Sequence, residues 1–299
     1  MTVAARYSLP VPSAIRALVS AILFAAGPVA LATAAPDPAT VASGDAAWDD
    51  RARGAADGWA SPGPVDEALG AYEAAWKASP GAPEVAWRLA RALWFRAEYA
   101  TRDDGERRRL LDRAIRVVEE GLDRLAAVHG GRKTLEELAP EERARSLWDE
   151  ENATPLYHWA AISWGVWGEA SGKVAAARQG VGSRIRDYSE TVIALDPAYD
   201  HAGGHRVLGR LHAEAPKIPF FTGWVDRDRA VTELEKATRL APDHLFNPLY
   251  LAEALLTHRK AEAPRARRLL EEIARARPSP EFLVEETRIL LEAKRLLGG

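Results

Sequence analysis

Apolar residues along most of the chain return at steps of three, four and seven, the spacing that keeps them on one face of an α-helix. Four segments carry a small or apolar residue followed by others at +4 and +7 and by Pro at +12. They are Ala68, Tyr72, Ala75 and Pro80; Ile185, Ser189, Val192 and Pro197; Ala230, Leu234, Ala237 and Pro242; and Ala266, Leu270, Ile273 and Pro278. Pro cannot continue a helix, so each Pro predicts a helix exit. A second pattern places residues at 0, +3, +4 and +7: Trp87, Ala90, Arg91 and Trp94; Tyr157, Ala160, Ala161 and Trp164; His205, Leu208, Gly209 and His212; and, in degenerate form, Leu249, Ala252, Glu253 and Leu256. Period-two alternation of β-branched residues is scarce, so strands have little support.

A large residue filling a groove, a small one allowing close contact and a terminal Pro form the packing logic of tetratricopeptide hairpins. The predicted fold is therefore all-α, a tetratricopeptide-like α-solenoid of antiparallel helix hairpins. Ser279-Pro280-Glu281 opens a last helix that reads as a C-terminal cap. Four interruptions are expected: a charged turn at Thr101–Glu106, an extra helix from Thr134 to about Asp149, a Gly-rich stretch from Gly165 to Gly182, and an apolar loop from Pro216 to Trp224.

The N-terminus departs from this pattern. Arg6 and Arg16 precede the uncharged run Ala17–Ala26, then Gly27-Pro28 and the small-x-small site Ala32-Thr33-Ala34. This order predicts a secretory signal peptide over residues 1–34 and a periplasmic or secreted product. Retention as an uncleaved anchor is the alternative; the Ala-rich run and the Gly-Pro break favour cleavage. Residues 35–44 read as a flexible linker and 45–299 as the repeat domain. Loss of Arg6 and Arg16 moves the net charge from −3 to −5, and dispersed basic residues leave no electrostatic footprint for nucleic acid. The absence of Cys excludes disulfides, thiolate metal sites and a lipidated N-terminal Cys.

Residues 152–260 resemble the T-component family of TRAP transporters, periplasmic tetratricopeptide-like proteins linked to solute uptake. The resemblance is carried by Leu156-Tyr-His-Trp-Ala-Ala161 with Trp164, by Ile193-Ala-Leu-Asp-Pro-Ala-Tyr199, by Gly203-Gly-His-Arg-Val-Leu-Gly209, by Ala215-Pro216 and Gly223, and by Ala230 through Ala237. The resemblance implies association with a periplasmic solute-binding protein, a cleft or central pore for a small hydrophobic or organic-acid ligand, and in some members a trimer. It also implies a lipoprotein anchor, for which this chain has no Cys, and a Gly-Gly after the Pro loop, where this chain has Thr222-Gly223. The alternative is a generic tetratricopeptide scaffold in the cell envelope.

The candidate sites follow from these segments. Gly203 and Gly204 could admit a ligand or a neighbouring backbone, or simply start a helix. Arg206 could grip an organic anion or make an ion pair within the fold. Trp159 and Trp167 fall off the packing face and are the cleft candidates of their helix. Phe220, Phe221 and Trp224 mark the apolar loop as a partner surface, unless it folds back on its own hairpin. His201, His205 and His212 lie at i, i+4 and i+11, but two of them fall on packing positions, so no metal site is expected. There is no phosphate loop, nucleophile elbow or dinucleotide fingerprint, so neither enzyme activity nor a cofactor is expected.

Overall fold

The computed structural model describes residues 35–172, 176, 179–218 and 222–298. The predicted signal peptide, together with Phe220 and Phe221, lies outside the described residues. Among these there are thirteen α-helices and no β-strand beyond one isolated bridge between Ala56 and Trp59. No described helix is long and apolar enough to cross a membrane.

The helices pair in chain order. α1 (Pro38–Asp49) packs on α2 (Pro62–Ala78), and α3 (Pro83–Tyr99) on α4 (Asp104–Ala127). Two short helices follow, α5 (Arg132–Glu137) and α6 (Pro140–Ser146). Next α7 (Ala153–Ser171) packs on α8 (Val181–Leu195), and α9 (Tyr199–Glu214) on α10 (Arg227–Leu240). Finally α11 (Phe246–His258) pairs with α12 (Ala263–Arg275), and α13 (Leu283–Gly298) closes the series.

Each Pro-terminated pattern occupies the second helix of a hairpin, and its marked residues are buried. Ala68, Tyr72 and Ala75 lie inside α2, Ala230, Leu234 and Ala237 inside α10, and Ala266, Leu270 and Ile273 inside α12. Each buried Leu, Ile or Val contributes about 1.5–3 kcal/mol relative to an exposed one. Helix starts are fixed locally. Asp37, Asp103 and Asp226 accept hydrogen bonds from the first free amides of α1, α4 and α10, and Pro opens α1, α2 and α3, where its missing N–H costs nothing.

Three features differ from the sequence reading. Residues 38–44, expected as flexible linker, form most of α1, because Asp37 caps that helix and Val41 and Gly44 pack inward. Gly44 faces the Tyr72 ring so closely that a Cβ there would come within 2.4 Å of it. The single helix expected from Thr134 to Asp149 is two helices, α5 and α6, parted at Leu138-Ala139 just ahead of Pro140. Arg143 is fully buried there; it donates to the Leu135 and Leu138 carbonyls and to Asp187 and Thr191 of α8. Lastly, α4 is the second helix of a hairpin but has no terminal Pro, so the Pro-terminated pattern does not mark it.

The cap covers the last hairpin and also reaches the first. Ile289 and Ala293 of α13 belong to the apolar cluster of α10–α12. Val284, one turn earlier, belongs to the cluster of α1–α8. Arg51, just after α1, pairs with Glu285 at 3.3 Å, with both side chains buried. Arg288 Nε donates to the Gly58 carbonyl at 2.9 Å, and its guanidinium stacks on Trp59 at 4.0 Å. The array of hairpins therefore closes on itself.

A central cavity as the candidate functional site

Closure leaves a cavity of about 940 Å³ between the ends and the inner helices. Trp48 of α1, Trp94 and Tyr99 of α3, Trp159 of α7, Phe246 and Tyr250 of α11, and Phe282 ahead of α13 give it aromatic walls. The rings support one another: Trp94 lies 5.3 Å from Trp159 and 5.4 Å edge-on from Tyr99. Apolar walls with a few placed charges are the usual make-up of a small-molecule site.

Those charges are unequal. Six carboxylates border the cavity, Glu98, Glu169, Asp200, Glu214, Glu281 and Glu285, against four guanidiniums, Arg51, Arg91, Arg206 and Arg210. Arg51 holds Glu285, while Arg210 sits among Glu214 at 3.0 Å, Glu169 and Glu253. Burial pushes the carboxyls of Glu98, Glu214 and Glu285 above their ordinary values.

Arg206 is saturated. Its guanidinium donates to Asp200 Oδ2, to the carbonyls of Asp200 and His201 at 3.1 and 3.2 Å, and to Asn247 Oδ1 at 3.3 Å. These bonds clamp an unusual turn. Asp200, His201 and Ala202 have φ of 47, 55 and 64°, a left-handed conformation that costs an L-residue about 1–2 kcal/mol. Asn247 Nδ2 donates to the His201 carbonyl at 3.1 Å and completes the clamp. Burial opposes the charge of Asp200, but His158, with Nε2 3.0 Å away yet poorly aligned for a hydrogen bond, and Arg206 hold the carboxyl well below the usual range. Beside them His244 stacks on His201 at 4.6 Å, and burial pushes its imidazole down to about 3.

The residues singled out from sequence therefore separate. Trp159 and Arg206 border the cavity; Gly203, Gly204, Trp167 and Trp224 do not. Gly203 and Gly204 serve helix contact, since a Cβ on Gly203 would lie 2.4 Å from the His158 ring and one on Gly204 would lie 2.9 Å from Ile193. Trp167 donates to Asp112 of α4 at 2.7 Å and packs edge-on against Trp164. Trp224 folds back against His212, with Arg186 over its ring at 4.4 Å. In the loop before it, Thr222 Oγ1 accepts from the Ile218 amide at 3.0 Å. The three histidines diverge: His205 meets Glu233 at 2.6 Å, His212 accepts from the Asp226 amide at 3.0 Å, and His201 stacks on His244. Among the described residues no group of His, Asp and Glu is placed to hold a metal ion.

Sequence reasoning does not single out Arg91, Trp48, Tyr99, Tyr250 or Phe282 as site residues. Arg91 does leave a signal: it occupies the +4 position of the first-helix pattern, where α7 and α9 have Ala161 and Gly209. No protein-family model matches the sequence, and no curated protein matches it either.

Proposed function

We propose that this protein is a non-catalytic periplasmic accessory protein of TRAP-type solute uptake, which binds a solute-binding protein and holds a small, largely apolar ligand in its central cavity. The observation behind the ligand is the aromatic cavity of about 940 Å³ inside a closed ring of helices. Support for the transport role is the T-component-like stretch, whose Gly-Gly and Leu-Gly pairs fall on α9, a helix of the cavity wall. Affinity capture from the native envelope, followed by native mass spectrometry of the captured complex, tests both parts. The expected result is a solute-binding protein together with a copurifying organic molecule. Capture of only unrelated partners, with the protein at its bare polypeptide mass, overturns the reading.

A second reading, a tetratricopeptide scaffold for envelope proteins, draws on the outer surface. Trp148 is 80% exposed and Val128 76% exposed, while His129 and Glu150, close to them in the chain, join at 2.9 Å. Two large exposed apolar residues this close can anchor a partner. Trp148→Ser should then abolish capture, while the double Phe220→Ser, Phe221→Ser variant tests the apolar loop in the same assay. Capture unchanged by all three substitutions removes both surfaces from consideration.

A further inference from the structure

Among the described residues, Arg91 is the one cavity guanidinium whose charge the fold leaves largely unanswered. Its nearest carboxylate oxygen, Asp45 Oδ1, is 4.0 Å away. That oxygen is already committed, accepting from the Tyr72 hydroxyl at 2.6 Å and from Arg88 Nε at 3.0 Å. The Tyr72 hydroxyl also lies within hydrogen-bonding reach of the Arg91 guanidinium, but burial keeps it protonated, so it offers a neutral acceptor and no counter-charge. Arg91 Nε is buried without a hydrogen-bond partner, and the side chain as a whole keeps 19% exposure where it borders the cavity. What holds the group is aromatic: its guanidinium lies 4.1 Å from the Trp48 ring and 5.0 Å from that of Trp87. Arg51 stacks on the same Trp48 at 4.4 Å, so two cations share one indole and repel each other. Cation–π contacts position a guanidinium but do not neutralise it. An anion at this point would gain charge-assisted hydrogen bonds and relieve that repulsion.

The remainder of the wall sets the limit on charge. Arg51, Arg206 and Arg210 each have a carboxylate oxygen within 3.3 Å, against 4.0 Å for Arg91, and the cavity carboxylates outnumber its guanidiniums. A second negative group on a ligand would therefore meet aromatic rings or Glu98, Glu169 and Glu214, with no uncommitted cation among the described residues of the wall to receive it. We propose that Arg91 is the head-group subsite of the cavity, and that the ligand is an organic mono-anion: one carboxylate on an aromatic or branched apolar body lying along Trp94 and Trp159. A dicarboxylate finds no second free cation among the described residues of the wall. This rests on the cavity being a ligand chamber, and it adds the class of ligand and the residue that selects it.

Calorimetric titration of the mature full-length chain with three matched probes tests the idea: naphthylacetate, naphthylethanol and a naphthalene dicarboxylate. The mono-acid should bind at least about tenfold tighter than the alcohol, as one charge-assisted hydrogen bond to a buried cation allows. The dicarboxylate should bind more weakly than the mono-acid. In Arg91→Met the acid should fall to the affinity of the alcohol, whose own affinity should hold. Equal affinity for acid and alcohol in the wild-type protein overturns the Arg91 subsite and leaves the chamber standing. A dicarboxylate that binds best overturns the mono-anion limit. Failure of all three probes to bind overturns the chamber itself. Should Arg91→Met unfold, Arg91→Lys replaces it: the charge is kept, so the acid should still bind tighter than the alcohol, and loss of that preference with the alcohol affinity intact would show that the fork of the guanidinium, and not its charge, does the selecting.

Discussion

Arg91 and Arg206 border the same cavity and are treated in opposite ways by the fold. Arg206 makes bonds to four acceptors and holds three left-handed residues in place. Arg91 lies between aromatic faces with one carboxylate at 4.0 Å and a bare Nε. A charge that builds the protein is satisfied within it, and a charge that serves something else is left short. The sequence makes Arg206 the anion-binding candidate because it follows two glycines and can grip a carboxylate. In the structure that carboxylate is Asp200, six residues away.

The contrast can be broken experimentally. Arg206→Leu should have the largest effect, about 3 kcal/mol of lost stability by urea unfolding, because it takes the buried guanidinium from Asp200 and leaves the Asp200 carbonyl without its donor. Lowering the pH acts on two buried histidines, His244 on the same wall and His212 away from it. Burial depresses His244 to about 3 in the folded protein and His212 to about 4, whereas in the unfolded chain both titrate near the ordinary value of about 6.5. The unfolded state therefore gains protons first, and stability should fall from about pH 6.5 towards pH 4, with a slope of up to roughly 1.4 kcal/mol per pH unit for each histidine. Much of that slope should vanish in His244→Phe; an unchanged slope would refute the assignment. Gly203→Ala drives a methyl against the buried His158 ring and should cost about 1–3 kcal/mol. Ala202→Gly relieves a left-handed alanine and should add up to about 1 kcal/mol. Arg91→Met should change stability least, by under about 1 kcal/mol in either direction, since it removes a buried charge with weak partners. A loss from Arg91→Met matching that from Arg206→Leu would erase the distinction between the two sides.

The helical framework is legible in the sequence because it rests on local rules. Small and apolar residues at fixed steps, with Pro at each exit, report where Ala68, Ala230 and Ala266 are buried. Half of the first hairpin escapes those rules: α1 contains Ser43 and Gly44, and its start depends on one Asp cap, so its composition resembles a linker. The second helix α4 escapes them too, because it ends without Pro and its close-contact residue is Gly121, where a Cβ would lie 2.6 Å from Ala86. The cavity is not legible, because it is made by residues far apart in the chain. Trp48, Arg91, Tyr250 and Phe282 become neighbours only once the array has closed, and no local spacing encodes that. Trp167 shows the converse. The helical wheel places it off the main packing face, but the space it faces is filled by α4 and Asp112.

Closure also fixes the number of units. An open array can lose or gain a hairpin at either end, or admit one between neighbours, and each change alters only adjacent interfaces. Here the Arg51–Glu285 pair and the bond from Arg288 to Gly58 make the first and last units neighbours, so a hairpin inserted between them along the chain would pull both bonds apart. Duplication and deletion, the ordinary routes by which repeat proteins change length, are barred to this chain. Its divergence must proceed by substitution on the inner wall, with the circumference held constant.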